Sequence, residues 1–576
     1  MSWNLREQLK KTVASERGTI ISSPGFRQPM ALIYPNSYHV GMSNLGLHII
    51  YEQINGRGDT RCERFFLPEK KVAQEYMRTK TPLLSLENQL PLYEFPLIAF
   101  AVSFEMDYFN MLSMLALGKV PIYDSERGEE DPLVIIGGPC ATFNPEPLAD
   151  FVDVCIVGEG EEVIHELLDT YYLSRQQNVT REGTLLNLAQ IEGLYIPSLY
   201  KPLYNPDGTI AGYKRSTHAP LKVKRRYVKN LERYPAETVV VAADTEFKDM
   251  YLIEVARGCG RHCRFCMAGY CFRQPRVRSL ESILQAVNRA KRYCNKVGLM
   301  GAAISDYPQI DKLCKSILAD GMTLSVASLR ADTLTSGLAQ ALAASGHRTI
   351  TLAPEAGSEK MRRIINKQIT DEELYAAVAA AIAAGIPNVR LYVMVGLPGE
   401  TEEDIQAIIH MAVNIKENMR KLGSKGTLTL SINPFIPKPF TPFQWLPMAY
   451  MDLVTSHLKH IQASLKSIKG IEVLIESPKE AYIQGVLSRG DRRLGKVLFD
   501  AVIKESGIGW RRAAKENNLD EAFYLYRKRD ADEVFPWDNL DMGFDRSYLI
   551  AEYGKAQESQ FTAPCKAGCK RCGVCD

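Results

Sequence analysis

The chain contains no run of about 18 apolar residues, so no stretch of it reads as a membrane-spanning helix. Its first residues, Met1-Ser-Trp-Asn-Leu-Arg-Glu-Gln-Leu-Lys-Lys11, lack an apolar segment of the secretory kind, and no signal peptide is expected. Neither sign of charge is in excess. Seventy Lys and Arg against 67 Asp and Glu leave a net +3, which argues neither for nor against a nucleic-acid partner. Base-stacking motifs, an appended RNA domain and a lipid-binding helix are also missing, so nothing points to RNA, protein or lipid as substrate. Hydrophobic content of 46% and charged content of 24% are ordinary for a globular protein, and 576 residues suffice for several domains. Thirteen cysteines would be odd for a disulfide-held protein of this length. Seven of them fall in two tight groups, a pattern that fits metal binding in a reducing cytoplasm.

The first group is Cys259-Gly-Arg-His-Cys263-Arg-Phe-Cys266, directly after the strand-like run Met250–Ala256. Thiolates at C-x3-C-x2-C spacing can hold three corners of a 4Fe–4S cluster and leave the fourth iron open to a small molecule. Two other readings stand beside this one. A zinc knuckle would need a fourth ligand, which His262 could supply only awkwardly beside Cys263, and the spacing could be a chance cluster. The second group, Cys565-x3-Cys569-x2-Cys572-x2-Cys575, suits a second iron–sulfur cluster or zinc in a compact thiolate site, with unligated thiols as the bland alternative.

From Met250 the pattern is regular. Strands are expected at Met250–Ala256, Val297–Gly301, Thr323–Leu329, Thr349–Ala353, Val389–Val395 and Thr427–Asn433, with helices between them. Ser279 is placed to cap a helix with the apolar face Ile283, Leu284, Val287 and Ala290. Thr370-Asp-Glu-Glu373 forms a capping box with Gly385 as its distant stop, and Thr401 opens another helix. In the first two hundred residues, strands Met30–Pro35, Leu97–Val102, Leu133–Gly137 and Val152–Val157 alternate with helices near Ser43–Ile54, Asp107–Leu117 and Glu161–Tyr171. That alternation predicts a doubly wound parallel sheet, which binds ligands at the carboxyl ends of its strands.

The cysteine loop followed by six strand–helix units resembles the radical S-adenosylmethionine superfamily. The resemblance extends to a group with a cobalamin-binding-like amino-terminal domain and a cysteine-rich tail. It implies an α/β protein in four parts: a Rossmann-like domain over 1–195, a linker over 196–249, a partial (β/α)6 barrel over 250–445, and a mainly helical domain with the tail over 446–576. It implies a 4Fe–4S cluster on Cys259, Cys263 and Cys266, with S-adenosylmethionine met by Phe265, Gly301, Ser328, Arg330, Glu355 and Gly396. Only the first glycine of the superfamily's Gly-Gly-Glu is kept, at Gly301, so the acidic role falls to Ser305 or Asp306. Arg273, Arg276 and Arg278 either hold an anionic substrate or solvate the loop.

By the same resemblance, cobalamin is placed against Asn36, Tyr38, Gly41, Ser103, Gly137, Gly138 and Gly158, glycines letting backbone approach a flat ligand. Where cobalamin domains carry Asp-x-His-x-x-Gly, this chain has Asn36, Tyr38 and Gly41, so the lower ligand is lost; His39 lies one residue out of register. The implied activity generates a 5′-deoxyadenosyl radical, using an external one-electron reductant such as a flavodoxin or ferredoxin in an anaerobic or microaerobic host. The implied outcome is methyl transfer from cobalamin to an unactivated carbon. Two alternatives remain: a radical enzyme without cobalamin that forms C–C or C–S bonds, and a non-catalytic redox or sensor protein. No residue is singled out as acid or base, and the substrate is not legible.

Overall fold

The computed structural model describes residues 3–22, 25, 27–566 and 568–575. Its contacts divide the chain into two units. One comprises Met1–Asp249, Leu487–Glu521 and Asp532–Gly543; the other comprises Met250–Val486, Ala522–Ala531 and Phe544–Asp576.

The first unit is built on a six-stranded sheet. Its strands are β1 (Gln28–Tyr34), β2 (Thr60–Phe66), β3 (Leu97–Ala101), β4 (Leu133–Gly137), β5 (Val154–Ile156) and β6 (Leu194–Tyr195), in the order β2-β1-β3-β4-β5-β6. All pairs are parallel except β5 with β6. Near-continuous apolar runs such as Leu133–Gly137 suit strands covered by helices on both faces. Helices Leu45–Asn55, Asp107–Leu117 and Gly160–Gln176 lie where the periodicity placed them. The order of the sheet reverses between β1 and β3, the topological switch point at which such sheets bind ligands.

Strand β2, with sequence Thr-Arg-Cys-Glu-Arg-Phe-Phe, is not anticipated by alternation because three charged residues occupy it. All three are buried, and Arg64 sits between Glu16 at 2.7 Å and Glu87 at 2.6 Å. Buried charge is tolerated when paired and hydrogen-bonded. These partners lie far off in the chain, so the local sequence does not announce the strand.

The segment expected as a linker is folded into this unit. β7 (Tyr200–Tyr204) and β8 (Ile210–Arg215) form an antiparallel hairpin, and β9 (Val223–Lys224) pairs with the late strand Leu540–Asp541.

In the second unit, β10 (Tyr251–Glu254) is followed by the short ribbon strands β11 (Ala256–Arg257) and β12 (Arg276–Val277). Then come β13 (Lys296–Met300), β14 (Thr323–Val326), β15 (Thr349–Glu355), β16 (Asn388–Val395), β17 (Leu428–Pro434) and β18 (Ile471–Ile475); the late strand Leu540–Asp541 of the first unit is β19. β10-β13-β14 and β15-β16-β17-β18 are parallel sheets, joined by a parallel bridge between Leu329 and Leu352. The result is the expected open barrel with a seventh strand added.

β18 and the division of residues 487–543 between the units differ from the separate helical domain expected over 446–576. β18 runs half-exposed at a sheet edge with only five residues, too short and too mixed for its pattern to separate strand from loop. Helix signals are carried locally. Ser279 accepts from the Ser282 N–H, and Thr370 with Glu373 closes a reciprocal capping box. No helix among the described residues is long and apolar enough to cross a membrane.

Candidate active site

The three-cysteine loop leaves the carboxyl end of β10 and returns through the antiparallel β11–β12 ribbon, which closes it at its base. Gly258 opens the loop at φ +77°, and a Cβ there would meet the Phe272 carbonyl oxygen at 2.1 Å, so no other residue fits. Cys263 is buried, while Cys259 and Cys266 are half-buried. The Arg261 N–H faces the Cys259 sulfur, and those of Ala268 and Gly269 face the Cys266 sulfur. Burial, reinforced by Cys263 and Cys259, pushes the Cys266 thiol up to about 12. Three crowded sulfurs, two of them served by backbone donors, form a set suited to thiolates that share a cationic cluster.

His262 is not turned to that task. Its Nδ1 lies within hydrogen-bond reach of the Tyr548 hydroxyl and the Arg273 guanidinium, and burial with Arg273 pushes its pKa down to about 3. Among the described residues, no three His, Cys, Asp or Glu side chains gather round one point as a mononuclear metal site requires. A cubane, whose thiolates sit on separate irons, makes no such demand.

The loop is held by long-range bonds. Arg264, fully buried, donates to the carbonyls of Arg363 (3.0 Å), Ile364 (2.8 Å) and Gln560 (2.8 Å), and pairs with Glu552 at 3.3 Å. The Asn366 amide donates to the carbonyls of Arg261, His262 and Thr562, and its oxygen accepts from the Thr562 N–H. These bonds carry the tail onto the loop. There the Cys565 N–H donates to the Gly260 carbonyl at 2.7 Å, and the Arg571 Nε lies 3.4 Å from the Cys569 sulfur.

Of the residues anticipated for S-adenosylmethionine, Phe265 lies within the cysteine loop and the others lie at or just beyond carboxyl ends of barrel strands, where such folds place chemistry. Gly301 follows β13 and Ser328 follows β14, both exposed; Glu355 ends β15 at φ +68°, and Gly396 follows β16 at φ +87°. Phe265 packs against a cluster containing Leu397 and Phe435.

The structure adds partners that sequence reasoning did not supply. Glu355 pairs with the buried Lys367 at 3.2 Å. Arg330 is engaged by Asp332 and the Lys367 carbonyl. Asp306 is held by Arg261 at 2.5 Å, and Ser305 accepts from Thr333. Glu400 accepts from the Gly396 N–H at 2.7 Å, and burial raises its pKa to about 7. Of the three arginines after the cluster loop, Arg273 is buried against His262 and Tyr548, and Arg278 pairs with Glu254 at 2.7 Å, so neither is solvated loop surface.

At the switch point of the first unit, Asn36 donates to Asp107 (2.8 Å) and Asn44 to Ser103 (3.4 Å), and the Tyr34 hydroxyl also bonds Ser103. The exposed Phe104 follows at the end of β3. Tyr38 is turned away and donates to Glu16 at 2.6 Å. His39 lies between Asp244 (2.8 Å) and Glu246 (3.3 Å).

The glycines divide by cause. A Cβ at Gly41 would strike the Phe66 ring at 2.5 Å, one at Gly138 the Val102 oxygen at 2.9 Å, and one at Gly158 the Arg226 oxygen at 2.3 Å. The chain's own packing demands these three. Gly137 alone meets nothing closer than Ile156, at 3.8 Å.

A cysteine loop of this spacing at the mouth of a parallel barrel defines an iron–sulfur radical protein class, and the comparisons agree. Residues 253–412 match the model of the radical SAM superfamily, and residues 46–197 match the model of radical SAM proteins, N-terminal. An uncharacterised protein of Methanocaldococcus jannaschii is 31% identical over 476 residues, covering 81% of this chain and 90% of that protein. The chain belongs to the radical S-adenosylmethionine superfamily of enzymes. An uncharacterised methyltransferase of Pyrococcus horikoshii is 23% identical over 295 residues, 49% of this chain; the chain spans 58% of that relative's length. Among solved structures, the cobalamin-dependent S-adenosylmethionine radical enzyme OxsB with aqua-cobalamin bound is similar at a TM-score of 0.49 and 12% identity, covering 92% of this chain and 80% of that one.

Proposed function

We propose that the protein is a cobalamin-dependent radical enzyme that transfers a methyl group to an unactivated carbon. The observation that carries the reading is the cysteine loop at the carboxyl end of β10, with backbone N–H groups aimed at its sulfurs. When bound, a 4Fe–4S cluster supplies the electron that cleaves S-adenosylmethionine to a 5′-deoxyadenosyl radical, and cobalamin carries the methyl group.

In this reading Cys259, Cys263 and Cys266 hold the cluster. Phe265 and the Gly396 turn, stiffened by Glu400, flank the adenine; Gly301, Ser328, Arg330 and Glu355 line the remaining strand ends. Arg264 and Asn366 keep the loop from moving when the cofactor arrives. Supporting the cobalamin half are the reversal of strand order between β1 and β3, the polar group Asn36–Asp107 and Ser103–Asn44 beside it, and the exposed Phe104. Tyr38, committed to Glu16, offers the lower face no ligand. The methyltransferase name of the Pyrococcus relative is consistent with this half. The four tail thiols take a second iron–sulfur cluster, the Cys565–Gly260 bond setting it beside the first loop.

The test is anaerobic reconstitution with iron, sulfide, S-adenosylmethionine and a one-electron reductant. The wild-type protein is expected to form 5′-deoxyadenosine and Cys263→Ala to form none. An ultraviolet-visible spectrum of protein loaded with hydroxocobalamin is expected to retain corrin after desalting. Retained iron without 5′-deoxyadenosine would favour a non-catalytic redox protein; 5′-deoxyadenosine without retained corrin would favour a radical enzyme of another bond-forming type.

A further inference from the structure

The barrel sheet has two faces of different character. On β16, Val389, Leu391, Val393 and Val395 are buried against the helices, while Arg390, Tyr392 and Met394 are half-buried on the opposite, concave face. The same alternation holds on β17, where Leu428, Leu430 and Ile432 are buried and Thr429 and Ser431 half-buried. The register sets Arg390 between Thr351 of β15 and Thr429 of β17, and Tyr392 beside Ser431. Neighbouring strands lie about 4.8 Å apart, so these side chains form one continuous polar patch.

Those groups are uncommitted. The Arg390 Nε is buried and has no hydrogen-bond partner among the described residues, and no carboxylate there pairs with its guanidinium. The hydroxyls of Thr351, Tyr392, Thr429 and Ser431 likewise make no side-chain hydrogen bond among the described residues. Elsewhere in this unit the half-buried or buried guanidinium groups of Arg261, Arg264, Arg278 and Arg330 each face a carboxylate. Glu472, in the same row about 10 Å away across two strands, is exposed and makes no ion pair among them. A buried donor left without an acceptor costs about 1–3 kcal/mol, and it calls for a missing partner.

We propose that this concave face binds an anionic group of the substrate, a carboxylate or a phosphate, with Arg390 as its counter-charge and the ring of hydroxyls as further donors. The inference rests on the barrel being the reaction chamber. A guanidinium presents a planar fork matched to either anion, and the hydroxyls can reach the remaining oxygens. Arg390 is the third residue of β16 and Val395 the eighth, which at about 3.3 Å per residue sets it roughly 16 Å below the strand end. The substrate class is therefore an elongated molecule whose anionic terminus is held deep while its reacting carbon lies at the mouth.

The experiment is equilibrium dialysis of the reconstituted holoprotein with labelled inorganic phosphate in one arm and labelled succinate in the other. At least one anion is expected to bind saturably at one per chain. Arg390→Gln is expected to weaken that binding at least tenfold, and Arg390→Lys, which keeps the charge, to weaken it less. Binding of phosphate alone or of succinate alone supports the proposal and identifies the anion. Absence of binding of either by the wild-type protein, or equal binding by Arg390→Gln, overturns it. Iron content and 5′-deoxyadenosine formation are read on the same wild-type preparation. Their failure would sink the functional reading, whereas an Arg390-independent result with both intact would sink only the anion site.

Discussion

Arg264→Met is the most informative single change in the barrel unit. The guanidinium is fully buried, and five of its contacts join three separate pieces of chain: the Arg363 and Ile364 carbonyls, the Gln560 carbonyl, the Thr562 hydroxyl and the Glu552 carboxylate. Methionine fills much of the volume but strands Glu552, itself fully buried, and removes the donors to three carbonyls. Glu552 keeps Thr562 and Lys555 as partners at 2.7 and 2.8 Å, which softens the loss. Breaking a buried ion pair by removing one partner costs about 3–5 kcal/mol, so about 3 kcal/mol is expected here.

The bonds lost are those that dock the tail, so the opening should be local. A change of about 3 kcal/mol multiplies the open population by roughly 150. Native-state hydrogen exchange reads this directly at Thr562, whose N–H donates to Asn366 at 3.0 Å, while amides of the first unit serve as the internal reference. Adding Glu552→Gln removes the stranded charge and should recover part of the loss, giving a coupling between the two sites. If exchange at Thr562 in Arg264→Met stays within about fivefold of wild type, the tail is not held by this network and the reasoning fails.

Three further outcomes are expected. Gly258→Ala places a Cβ 2.1 Å from the Phe272 oxygen at φ +77°, so it should lower iron bound per chain after reconstitution; wild-type loading would refute the loop geometry. Glu400 has its pKa raised by burial from the ordinary 4.5 to about 7, so the folded state binds its proton more tightly than the unfolded chain does. That contribution is fully present below pH 4.5 and is lost as pH rises through 7. Glu400→Gln, neutral throughout, should therefore gain on wild type by about 1–3 kcal/mol between pH 5 and 8 in thermal unfolding, and a gap that does not change with pH would contradict it. Thr370→Ala removes the capping oxygen that accepts from the Glu373 N–H and should cost about 1 kcal/mol, read as a lowered unfolding midpoint.

Much of this molecule is decided by neighbours along the chain. Helix starts at Ser279, Thr370 and Thr401, and the long apolar strands of both sheets, follow from side chains within a few residues of the backbone they stabilise. The cysteine spacing belongs to the same kind, because a loop of eight residues can bring its own sulfurs together whatever surrounds it. Folding alone decides what depends on partners beyond the reach of the local chain, from about ten to nearly three hundred residues away. Strand β2 exists with Arg64 buried because Glu16 and Glu87 meet it. His262 is drawn to Tyr548 and Arg273 and away from its neighbouring cysteines. Three of the four glycines first assigned to a corrin are required by Phe66, Val102 and Arg226. The unpaired guanidinium of Arg390 is equally invisible in the sequence, where an arginine in a strand reads as any other cation. Its missing partner becomes apparent only in the folded sheet, where no carboxylate among the described residues pairs with it. Propensity and capping act over one or two turns of chain, whereas pairing of buried charge acts through space, and only the tertiary fold brings those groups within reach.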